Sequence, residues 1–71
     1  MILLASVISV RGNHLLVLDL TERQQVKVVT GDTSRFCTGD LVRIRFNGIM
    51  TRSIPPQITA QHIAKLSPPL C

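Results

Sequence analysis

A chain of 71 residues has room for one domain and no more. Folds of this length bury only about 60% of their unfolded surface and depend on a dense core, which the 45% hydrophobic content, mostly Leu, Ile and Val, can supply. Eight Lys and Arg against four acids give a net charge of +4, which favours anionic partners without specifying a fold. No apolar run approaches the ~20 residues of a membrane-spanning helix.

The opening "MILLASVISV" has neither a basic leading segment nor a small-residue cleavage site, so it is read as structure rather than as a targeting signal. The chain is expected to be soluble, and cytoplasmic unless an export signal lies outside it. Residues 2–10 carry β-branched and aliphatic side chains on both alternating faces. That pattern fits a long coiled strand shared between two sheets, each half burying a different face. "RGN" at 11–13 then predicts a hairpin, since Gly12 and Asn13 tolerate positive φ.

"HLLVLDL" predicts a second strand, with Leu16, Leu18 and Leu20 on one face and Leu15, Val17 and Asp19 on the other. If Leu16, Leu18 and Leu20 fill the core, Leu15, Val17 and Asp19 are left on the outer face. After the turn at "TERQ", "QVKVVT" forms a third strand with Val26 and Val28 opposite Lys27 and Val29. "LVRIRFN" is the cleanest strand: Val42, Ile44 and Phe46 point one way, Arg43 and Arg45 the other.

Between the third and fourth strands lies "TGDTSRFCTGD", residues 30–40, in which Thr-Gly-Asp occurs twice. Asp32 and Asp40 have no further acid between or just after them, so a calcium loop with six to eight oxygen ligands is ruled out. The duplication reads as two turns at Gly31-Asp32 and Gly39-Asp40, both able to use left-handed backbone. They bracket at most one helical turn, capped by Asp32, with Phe36 plugging the open end of a barrel. The last element, "QITAQHIAKL", follows Pro55 and Pro56. It is expected to be a strand with a bulge near Gln61–His62 that returns Ile63 to the core, a short C-terminal helix being the alternative.

Three strands, a short one-turn connector and two more strands describe an all-β fold, a small five-stranded Greek-key barrel of OB-fold-like type. An SH3-like barrel is the nearest competitor. Residues 1–66 are assigned to this single domain and 67–71 to a C-terminal tail.

From Gly39 onward, "GDLVRIRFNGIMTRSIPPQITA" resembles a group of small bacterial OB-fold-like proteins of uncharacterised function, several of them exported or lipid-anchored. The resemblance rests on Gly39-Asp40, the alternation of Val42, Ile44 and Phe46, then Asn47-Gly48, Ser53, the Pro55-Pro56 pair, Gln57 and Ala60. It implies an OB-like barrel, and no catalytic or ligand-binding residues come with it. This chain departs from the exported relatives in showing no signal peptide or lipid-anchor cysteine near its start.

Chemistry has little material here. His14 and His62 are far apart in sequence, no nucleophile–His–acid spacing is present, and the acids sit in turns or at strand ends, so no enzyme activity and no cofactor are expected. Cys37 and Cys71 match no zinc or redox spacing; a disulfide between them and a free terminal thiol both stay open.

Two kinds of binding remain. Leu15 and Val17, read as outward, lie beside Val29 and form a candidate partner surface together with Ile49 and Met50 of the loop "GIMTRSIPPQ". That loop either folds back over the barrel mouth or presents a sticky tip. Lys27, Arg43, Arg45 and Arg52 are candidate contacts for an anion or a single-stranded nucleic acid. Nucleic-acid binding of OB type also uses stacking aromatics, and the two phenylalanines are both assigned to the interior. The expected function is therefore a non-catalytic OB-type binding module contacting another protein or a second copy, with single-stranded nucleic acid as the alternative.

Overall fold

Every regular element among the described residues is extended, as their β-branched and aliphatic content dictates. The computed structural model describes residues 1–31 and 33–66. Its strands are β1 (Ile2–Val10), β2 (His14–Asp19), β3 (Gln24–Val29), β4 (Leu41–Phe46) and β5 (Gln57–Lys65). They close into a barrel in the order β1-β2-β3-β5-β4. β1 closes it, pairing antiparallel with β4 through residues 2–6 and with β2 through residues 5–10. β3 and β5 run parallel over a short stretch, Lys27–Val29 against Gln57–Thr59. This is the five-stranded OB-like barrel that the sequence pattern predicts.

β1 serves two neighbours by changing parity. Leu3, Ala5 and Val7 face inward; the register then slips between Val7 and Ser9, Ile8 is extruded, and Val10 packs against the core. The bulge expected in the last strand is also present. Arg45 pairs with His62 while the next residue, Phe46, pairs with Ala60, so Gln61 is the extra residue and Ile63 returns to the interior. Residues 57–66 thus contain a bulged strand.

The lumen is filled by aliphatic side chains from all five strands, Val7, Leu15, Val17, Val26, Val28, Val42, Ile44 and Ile58 among them. Filling by side chains is what a barrel of this size requires. Phe36 plugs one end from the connector and is buried. The Arg35 guanidinium carbon lies 4.9 Å from its ring centroid and the Lys65 ammonium 5.7 Å away. Below the plug, the buried Asp40 carboxylate accepts the Cys37 amide at 2.9 Å and pairs with Lys65 at 3.1 Å. The connector contains a turn closed by the Phe36 amide donating to the Thr33 carbonyl, and the Thr33 hydroxyl donates to the carbonyl of Arg11. The predicted cap at Asp32, the tail 67–71 and the pairing of Cys37 with Cys71 lie outside the described residues.

One expectation needs correction, and the turns and the β4–β5 loop take particular forms among those the sequence left open. In β2 the faces are reversed: Leu15 and Val17 are 0% exposed, whereas Leu16 and Leu18 are half-buried outside and Leu20 is 44% exposed. Asp19 shares the buried face. Its side chain points inward at the barrel mouth and is buried, with Oδ1 accepting the amides of Thr21 at 2.9 Å and Glu22 at 3.3 Å. A carboxylate satisfied by its own turn need not face water.

In the turns, neither Gly12, Asn13 nor Gly31 has positive φ; that conformation falls to Arg23 (φ 55°), Gly39 (φ 95°) and Gly48 (φ 92°). Finally, the β4–β5 loop divides its apolar residues. Met50 folds back onto the core, while Ile49 and Ile54 project outward, Ile54 at 99% exposure.

Candidate interaction surface

Strand register fixes which side chains share the outer wall. Across the β1–β4 ladder, Ile2 lies beside Arg45 and Leu4 beside Arg43. Across β1–β2, Ser6 is opposite Leu18 and Ser9 opposite Leu16, and the Leu20 amide donates to the Leu4 carbonyl at 3.0 Å. Across β2–β3, Leu16 lies beside Lys27 and Leu18 beside Gln25. An aliphatic stripe of Ile2, Leu4, Ile8, Leu16, Leu18 and Leu20 therefore covers the β1–β2 wall. Arg43 and Arg45 border it on one side and Lys27 on the other.

Burial separates this stripe from the core it resembles in composition. Ile2 is 56% exposed, and Leu4 and Ile8 also stand open to solvent. Charge on the wall is of one sign. Of the chain's four acids, Asp19 and Asp40 are buried, Glu22 sits in the β2–β3 turn, and Asp32 lies outside the described residues. Arg43 and Arg45 are exposed and Lys27 is half-buried.

The residues predicted to contact a partner are thus scattered. Leu15 and Val17 are lumen residues and drop out as a partner surface. Val29 does face outward, half-buried, beside His14 and Thr59. Ile49 is exposed on the loop after β4, and Met50 is drawn inward. The basic candidates Arg43 and Arg45 come together on β4, Lys27 stands across the aliphatic stripe, and Arg52 belongs to the β4–β5 loop. Sequence reading missed Leu4, Ile8 and Leu20. The parity of β2 was the signal that would have found Leu20, had the carboxylate of Asp19 been assigned to its turn.

The β4–β5 loop is a built structure. The Thr51 amide donates to the Gln57 carbonyl at 3.0 Å, and the Gln57 amide donates back to the Thr51 hydroxyl at 2.9 Å. Within it, the Ser53 hydroxyl lies 2.7 Å from that of Thr51 and donates to the Pro55 carbonyl at 2.9 Å; the Ile54–Pro55 bond is cis. Beside the loop, an open groove of about 560 Å³ runs along β3.

His14 and His62 are not near neighbours in the ladders. The His14 ring nitrogen Nδ1 lies 2.9 Å from the Asn13 side-chain oxygen, and His62 is exposed beside Arg45. Among the described residues no group of three or more His, Cys, Asp or Glu side chains is placed to hold a metal ion, and no helix is long and apolar enough to cross a membrane. Comparison of the chain with protein-family models, with curated proteins and with solved structures finds no match.

Proposed function

We propose that this protein is a non-catalytic OB-type interaction module that docks another protein on the outer wall of β1 and β2. The observation carrying this reading is the aliphatic stripe of Ile2, Leu4, Ile8 and Leu20, exposed on a wall bordered by Arg43, Arg45 and Lys27. Contiguous exposed apolar surface on a small domain marks a contact site. Basic borders favour a partner with an apolar strip and acidic flanks. They disfavour a second copy, because two stripes face to face would bring the same positive borders together.

Single-stranded nucleic acid is less well supported. Base stacking supplies ~1–3 kcal/mol per base in such complexes, and both aromatic residues of the chain, Phe36 and Phe46, are buried. The test is affinity capture with the wild type and with the double variant Leu4→Glu, Leu20→Glu, alongside anisotropy titration with labelled oligo-dT at low salt. A captured acidic protein lost in the double variant, with the far-UV CD spectrum unchanged, supports the proposal. Equal capture by both forms, or salt-sensitive oligo-dT binding by the wild type, overturns it.

A further inference from the structure

A second and independent site lies on the other side of β3, where the barrel seam stops short. In an antiparallel pair the backbone groups of alternate residues point toward and away from the partner strand. Two hydrogen bonds fix that alternation in β3. The Thr30 amide donates to Asn13 on the β2 side at 3.3 Å, and the Lys27 amide donates to Pro56 on the β5 side at 2.8 Å. Even-numbered residues therefore bond to β2 and odd-numbered residues face the seam. Gln25 is odd-numbered. Yet β5 begins pairing only at Lys27↔Gln57, so among the described residues no strand pairs with Gln25 on that side. Its N–H and C=O both face the groove of about 560 Å³ between β3 and the β4–β5 loop.

Exposed strand edges are usually covered or blunted, and this barrel does so elsewhere. On β5 the Arg35 guanidinium donates to the outward carbonyl of Ile63 at 3.0 Å. At Gln25 the edge is instead left facing a groove with a braced wall. Met50, Ile54 and Pro56 give that wall an apolar lining, and among the described residues Arg52 is the only charged one lining the groove. The hydrogen bonds within Thr51–Gln57 brace that wall from within.

We infer that this groove takes an extended segment of a partner protein, which adds to the open edge of β3. The segment exchanges backbone hydrogen bonds with Gln25, rests an apolar side chain against Met50 and Ile54, and offers a carboxylate to Arg52. Strand addition of this kind draws affinity from main-chain bonds and specificity from alternate side chains. The acidic character of the segment follows from Arg52, the one charge among the described residues lining the groove.

The probe is a capped hexapeptide, acetyl-Ile-Asp-Val-Glu-Ile-Thr-amide, compared with the same peptide N-methylated at its central residues. In the free protein the Gln25 amide should exchange with deuterium at least about tenfold faster than those of Val26 and Val28, since only the latter bond to β2. Adding the peptide should shift the Gln25 amide resonance and slow its exchange. The N-methylated peptide should leave both unchanged. Arg52→Glu should weaken peptide binding about tenfold, and Gln25→Pro should abolish it while the barrel persists, because proline is tolerated where the N–H faces away from the ladder. Protection of Gln25 equal to that of Val26 in the free protein overturns the inference. So do equal binding of the two peptides, peptide shifts confined to the β1–β2 wall, oligo-dT perturbing Gln25 where the peptide does not, or no peptide binding at all. Gln25 exchange and the Arg52→Glu and Gln25→Pro variants report on the groove alone, whereas the aliphatic stripe is tested by its own variants at Leu4 and Leu20, which lie outside the groove.

Discussion

Truncating Leu15 and Leu20 to alanine sets the two faces of the second hairpin strand against each other with one chemistry. Leu15 is fully enclosed among the valines and isoleucines of the lumen, whereas Leu20 is 44% exposed on the outer wall. Leu15→Ala removes three buried carbons, a transfer loss of ~2.4 kcal/mol at ~0.8 kcal/mol per methylene. The cavity left in a closed barrel raises the total to ~3–5 kcal/mol. A domain of this length holds roughly 4–11 kcal/mol of stability, so this variant should lose much of it. Leu20→Ala should cost about 1 kcal/mol or less, in line with other surface truncations. The chain has no Trp or Tyr, so urea unfolding is followed by far-UV circular dichroism, with similar slopes expected for both variants. A cost for Leu20→Ala equal to or above that for Leu15→Ala would refute the inward assignment of Leu15, Val17 and Asp19.

Asp19→Ala should destabilise by ~1–2 kcal/mol through lost hydrogen bonds to the Thr21 and Glu22 amides, seen as faster deuterium exchange at those two amides. Asp40→Ala removes a buried carboxylate from Lys65 and the Cys37 amide. Because Lys65 keeps some solvent access, the cost is set at ~2–4 kcal/mol, or a fall in Tm of at least about 10 °C. Combining it with Lys65→Met should cost less than the sum of the two single changes. Gly48→Ala should lose ~1–3 kcal/mol, because residue 48 holds φ +92° and its new Cβ would lie 3.1 Å from the Met1 sulfur; a neutral result by thermal melting would argue against that backbone conformation.

Much of the barrel was legible because certain strands carry only one reading. In "LVRIRF", two arginines alternate with Val42, Ile44 and Phe46, and no other face could be buried. The Pro55-Pro56 pair forced a late start for the last strand. The return from Ala60 to Ile63 required one extra residue, which is Gln61. β2 carried two readings. Leu16, Leu18 and Leu20 are as hydrophobic as Leu15 and Val17, so periodicity alone could not orient the strand, and a charged Asp19 gave no sign that its face is the buried one. A carboxylate placed where a turn leaves amides unbonded is satisfied inside the mouth, a fact of tertiary geometry that alternation does not encode. That inversion takes Leu15 and Val17 off the candidate surface and brings Leu20 onto it, while Leu4 and Ile8 come from the outward side of β1. The open edge at Gln25 was illegible for a related reason: it depends on where β5 begins pairing, which only the register reveals.

Docking through the β1–β2 wall is tested most directly by site-specific photo-crosslinking in the cell. A photoreactive phenylalanine derivative is installed at Leu4 and, as a control, at Gln61, which is exposed on the bulge of β5. Position 4 should yield one discrete adduct with an acidic protein, absent when Leu20→Glu is added and absent from position 61. Adducts of equal intensity from both positions, adducts with nucleic acid, or none from position 4 would contradict the proposed role of the stripe.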